Sequence, residues 1–103
     1  VTRRNPDDIH ESLLEERAVA YAKAQGWMAV SLDYSPGAPD RLFLRPPSPQ
    51  IPFVARVLFV EFKQIRGRVT PEQAVEHRRL RESGFRVAVV RRESEFRALL
   101  EAS

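Results

Sequence analysis

Glu61 and Lys63 stand two residues apart at the end of an otherwise apolar run, Val57-Leu58-Phe59-Val60-Glu61-Phe62-Lys63. If that run is a β-strand, its period of two sends both charged side chains to the same face of the sheet. A charge buried there without a partner is costly, so each needs a counter-charge or a ligand. Asp40 follows the tight Gly37-Ala38-Pro39 turn, which delivers the chain into a neighbouring strand. An antiparallel hairpin running from Arg41 to Phe62 would return Asp40 to the side of Glu61. Two adjacent carboxylates repel, and a divalent cation relieves the repulsion. Taken singly, Asp40 reads as a turn residue, and Glu61 with Lys63 as a strand-end ion pair. Taken together, three charges on adjacent strand ends read as a candidate site.

The remaining composition narrows the chemistry. There are no cysteines, which removes disulfides, zinc-thiolate sites and a cysteine nucleophile at once. Two histidines are too few for a histidine-rich metal site. A metal would therefore be held mainly by carboxylate oxygen, which favours Mg²⁺, Mn²⁺ or Ca²⁺. The 103 residues fit one domain spanning 1–103, small enough to have a thin core that pairing with a second copy would help. With 43% hydrophobic and 30% charged residues, an ordinary globular protein is expected rather than a disordered one. Net charge is only +3, but arginines crowd the second half: Arg66, Arg68, Arg78, Arg79, Arg81, Arg91 and Arg92. Guanidinium forks suit phosphate geometry, although such charge equally serves a solvated surface. No apolar run approaches the roughly 20 residues of a membrane span, and no signal peptide is visible. A soluble, intracellular protein is the expectation.

The elements that must position these residues can be read in order. Asn5-Pro6-Asp7-Asp8 has the pattern of a helix start. Leu14, Ala18, Tyr21, Ala22 and Gln25 then recur at helical spacing up to Gly26. Trp27 to Leu32 predicts a strand, Ser35 to Pro39 a turn, and Arg41 to Leu44 a second strand. Pro46, Pro47, Pro49 and Pro52 interrupt the ladder and mark a surface excursion in the 46–52 region. Phe53 to Phe62 predicts a third strand, apolar enough to sit centrally with both faces covered. Thr70-Pro71-Glu72-Gln73 opens a second helix, with Thr70 as N-cap and Gln73 at the capping-box position. Gly84 ends that helix, Phe85 to Val90 predicts a strand, and Glu93 to Ala102 a last helix. The expectation is an α/β fold with a mixed sheet flanked by helices.

Pro39-Asp40 followed by Glu61-Phe62-Lys63 matches the PD-(D/E)xK nuclease pattern. More narrowly, Gly37-Ala38-Pro39-Asp40-Arg41, Val60-Glu61-Phe62-Lys63, Gly67, Gln73 and Gly84-Phe85-Arg86-Val87 resemble the virus-type replication-repair nuclease (VRR-NUC) domain. The resemblance runs from about Glu11 to Arg92. It implies a restriction-endonuclease-like core in the order α-β-β-β-α-β. It also implies an acidic metal ligand on the first helix, for which Glu15 is the choice, Glu11 the fallback and Glu16 unsuited.

On this resemblance Asp40 and Glu61 would ligate Mg²⁺ or Mn²⁺, with the carbonyl of Phe62 as a neutral ligand. Lys63 would orient or help deprotonate the attacking water. Gln73 would lie near the catalytic centre, unless its amide is spent on the capping box. Arg66, Arg68, Arg78 and Arg79 are candidates for contacts to the DNA backbone, and His77 reads as a partly exposed surface histidine. The implied function is hydrolysis of DNA phosphodiester bonds. Stand-alone members of the resembling family are phage-encoded homodimers acting on branched DNA such as four-way junctions, which implies a homodimer in a bacterial or phage-infected cytoplasm. A flap-cleaving repair nuclease and a non-catalytic DNA-binding module are the alternatives.

Overall fold

The computed structural model of the chain describes residues 9–47, 49–50 and 56–103. Its elements are α1 (Glu11–Ala24), β1 (Met28–Ser31), β2 (Arg41–Arg45), β3 (Arg56–Phe62), α2 (Pro71–Glu82), β4 (Arg86–Val90) and α3 (Glu93–Glu101). This is the expected α/β order. The strands form one mixed sheet in the spatial order β1-β2-β3-β4, antiparallel except for the β3–β4 pair, which is parallel. The α2 crossover supplies the length that a parallel connection needs.

The proposed helix start at Asn5–Asp8 lies outside the described residues, as do the predicted strand residues Phe53 to Ala55. Within them, His10 is the N-cap of α1, its ring accepting from the Ser12 amide at 3.2 Å. The α2 start is as predicted: Thr70 caps, Pro71 opens the first turn, and the capping box with Gln73 is complete. Gly26 and Gly84, the two helix stops, have φ of +87° and +93°, which glycine adopts without a Cβ penalty. Pro46 and Pro47 follow β2 directly and are exposed.

β3 is central, as its apolar run predicted. Leu58, Val60 and Phe62 enter the core with Phe43 of β2, Leu14, Ala18 and Ala22 of α1, Val90 of β4, and Phe96 and Leu100 of α3. α1 and α3 thus cover one face of the sheet, while α2 packs on the other face at β4. Because α2 lies at that end, Met28 and Val30 on the β1 edge stay exposed.

Three rings make the centre of the core. Phe43 meets Phe96 at 5.0 Å between centroids and Phe62 edge-on at 6.4 Å. Aromatic burial at this size dominates a small core. Phe43→Ala should therefore cost about 3–5 kcal/mol in urea unfolding; a loss below about 1 kcal/mol would show that the ring cluster is not what holds the sheet to its helices.

Candidate active site

The β2–β3 register builds the site. Arg41 pairs with Val60 and Leu42 with Phe59, so the antiparallel pairing sets Asp40 opposite Glu61. The carboxylate of Asp40 is fixed there by the backbone: its Oδ2 accepts the Phe62 amide at 2.7 Å. Upstream, the Leu32 amide donates to the Asp40 carbonyl at 3.1 Å and closes the β1–β2 loop.

That loop is fastened to α2 at two points. Gly37 is buried against the first turn of α2, where an added Cβ would lie 2.4 Å from the Glu72 carbonyl oxygen. Beside it, the Tyr34 hydroxyl donates to Glu76, which also receives two bonds from Arg79, at 2.7 and 2.6 Å. Those bonds hold Glu76 down at about 2, the Arg79 guanidinium contributing most and Tyr34 next. Burial and the neighbouring Glu76 push Tyr34 up to about 12.

Glu61 is only 2% exposed. Burial pushes its carboxyl up to about 8, and the charge and hydrogen bond of Asp40 push the same way, with a smaller push from Glu11. Lys63, 8% exposed and on the same face, pulls it down. At neutral pH the Glu61 carboxyl is thus held towards its protonated form.

His77 corrects the sequence reading. It is 2% exposed rather than a surface residue, and its Nε2 lies 3.7 Å from Glu61 Oε1. Burial, followed by the charges of Arg81 and Lys63, holds its pKa below the ordinary value. A neutral ring beside a protonated carboxyl is no ion pair. Both facing atoms are buried without a hydrogen-bond partner among the described residues. Glu76, His77 and Leu80 are the buried residues of α2 and share its inner face; with two of the three polar or charged, spacing alone does not mark that face as covered.

The two helix acids behave differently. Glu15 accepts from Arg41 Nε at 2.6 Å and so turns to a guanidinium. Glu11 reaches towards the Gln64 amide just past β3, at 3.5 Å, and its charge acts on Glu61. Gln73 spends its Oε1 on the Thr70 amide at 2.9 Å. Downstream of Lys63, Arg91 was missed as a positioning residue. One guanidinium nitrogen donates to the carbonyls of Gln64, Ile65 and Gly67 at 2.8, 3.2 and 2.6 Å, fixing the turn after β3. Arg66 and Arg68 are exposed on and beside that turn. Arg78 is exposed on α2, where it lines a groove of about 520 Å³ with His77 and Val89, whereas Arg79 is committed to Glu76.

The donors that meet are oxygen atoms of two carboxylates beside one backbone segment, a set suited to a hard cation. No ready-made cluster of three or more His, Asp or Glu side chains is gathered among the described residues. The orphaned Oε1 of Glu61 is the feature that a cation or a rearranged hydrogen bond would satisfy.

Two outcomes follow from this geometry. A raised carboxyl favours the folded state while protonated, so the Glu61 contribution is full below about pH 4.5 and is lost as pH rises through about 8. Without divalent ions, thermal unfolding should show the melting point falling across that window, and Glu61→Gln should flatten the fall; identical pH profiles would contradict the assignment. Gly37→Ala should cost about 1–3 kcal/mol by overpacking and speed amide exchange at Leu32. Unchanged exchange there would show that the contact with Glu72 does not hold the loop.

No family model matches the chain, and no curated protein matches it. A solved VRR_NUC domain does, with a TM-score of 0.72 and 29% identity over 88% of this chain and 94% of that one. In fold and in sequence the chain is similar to a VRR_NUC domain over most of its length, which bears out the resemblance carried by Gly37–Arg41 and Val60–Lys63.

Proposed function

We propose that this chain is a divalent-metal-dependent DNA endonuclease that hydrolyses phosphodiester bonds at the Asp40–Glu61–Lys63 site. The observation that carries the reading is the buried Glu61, with an unpartnered oxygen, set opposite a backbone-anchored Asp40. Similarity to a VRR_NUC domain supports it.

Asp40 and Glu61 would hold Mg²⁺ or Mn²⁺, with the Phe62 carbonyl as a neutral ligand. When bound, such an ion lowers the pKa of its water and offsets charge on the phosphate. Lys63, on the same face as Glu61, orients the attacking water and counters phosphate charge. Of the α1 acids, Glu11 is better placed to complete the ligand set, because Glu15 would first have to leave Arg41. Gln73 retains its Nε2 for a phosphate or water once Oε1 serves the capping box. Arg66, Arg68 and Arg78 provide exposed cations for the DNA backbone, and Arg79 contributes through Glu76 by holding the loop before Asp40. Among the described residues no helix is long and apolar enough to cross a membrane.

Selectivity for branched DNA and assembly as a homodimer extend the reading, since two symmetry-related sites suit paired cuts at a junction. Labelled four-way junction, flap and linear duplex incubated with Mn²⁺ or Mg²⁺ test it directly. Branched substrates should be cut preferentially, chelation should stop cleavage, and Lys63→Ala should slow it about 10²–10⁴-fold while DNA retention persists. Inertness towards all three substrates with both ions would sink the enzyme reading; retention unaffected by Asp40→Ala or Lys63→Ala, without cleavage, would identify a binding module.

A further inference from the structure

Glu61 Oε1 and His77 Nε2 are both buried, both without a partner among the described residues, and face each other across 3.7 Å. A buried polar atom left unpaired costs about 1–3 kcal/mol, so two orphans in mutual view call for a state in which they are satisfied. The gap exceeds a normal N–H···O distance of about 2.7–3.2 Å. A movement of less than about 1 Å closes it, well within the reach of a carboxylate rotating about its last bond. His77 is held on the inner face of α2 between Glu76 and Leu80. That helix is tied to the Asp40 loop through Gly37 and through Tyr34 with Glu76. The imidazole therefore approaches Glu61 from a frame that already positions the opposite carboxylate.

We propose that His77 is a positioning residue for Glu61: its Nε2–H donates to Oε1 and turns the other carboxylate oxygen towards the space shared with Asp40. The inference rests on the reading of that space as a divalent-cation site. A ligating carboxylate is ordinarily held by such an outer hydrogen bond, and losing the donor lowers metal affinity about 10–100-fold. Lys63, whose charge also acts on Glu61, cannot take this role without giving up the phosphate and water. A single donor behind the carboxylate leaves Lys63 free for them.

Titration of the ¹⁵N-labelled chain with Mg²⁺ alone tests the proposal without DNA or turnover. The Phe62 amide, which reports on Asp40, and the His77 Nε2–H signal should shift together along one saturation curve, the latter in the direction of a strengthened hydrogen bond. A shift at Phe62 with the His77 ring unmoved overturns the inference and leaves the cation reading standing. No shift at either overturns both. As a second measurement, calorimetry with Mn²⁺ should show His77→Leu binding about 10–100-fold more weakly. His77→Gln, which restores an N–H donor, should recover most of that loss. Wild-type affinity in a folded His77→Leu variant overturns the proposal; if that variant does not fold, the Mg²⁺ titration of the unaltered chain decides.

Discussion

Two acidic side chains are brought face to face by the hydrogen-bond register of β2 against β3, and the rest of the molecule is arranged around that conflict. A one-residue slip would send Glu61 to the aromatic core and Phe62 to the polar face, because side chains alternate across a strand. The core therefore enforces the site: Leu58, Val60 and Phe62 must face α1 and α3, which leaves Glu61 no alternative but the α2 side. Burial makes the juxtaposition worse, by removing water, and more useful, by making any cation or donor that relieves it count for more.

The supports of the site come from all parts of the chain. The parallel β3–β4 pair places the ends of both strands on one rim, where Arg91 leaves β4 and gathers three carbonyls of the turn beyond Lys63. α2, in turn, receives the loop that leads to Asp40. Both devices use groups that bear no part in the proposed hydrolysis. A rigid frame of this kind is what a catalytic constellation needs if it is to be held within a fraction of an ångström.

Much of this was legible in the residues. Strand alternation placed Glu61 and Lys63 on one face, and turn chemistry located Asp40. The Thr70–Gln73 box and the stops at Gly26 and Gly84 set the helix limits. The failures have a common physical origin. His77 looked like a surface residue because a single polar side chain on a helix gives no sign of which neighbour will cover it. Helix spacing showed that Glu11 and Glu15 share an edge of α1, but not that Arg41 would pair with Glu15. Arg91 counted as surface charge, since its three carbonyl partners lie more than twenty residues earlier. Each miss depended on a long-range contact between polar groups, which periodicity does not encode.

Phe62 shows how such a small protein separates two demands. Its ring belongs to the apolar cluster, while its main-chain N–H anchors Asp40. Any amino acid except proline brings the same N–H, so the anchor is indifferent to which side chain fills the interior. Drift in the size or shape of the hydrophobic residue at position 62 can thus alter how firmly the domain holds together without erasing the grip on the acid opposite. Selection for robustness and selection for chemistry can act on one codon through different atoms.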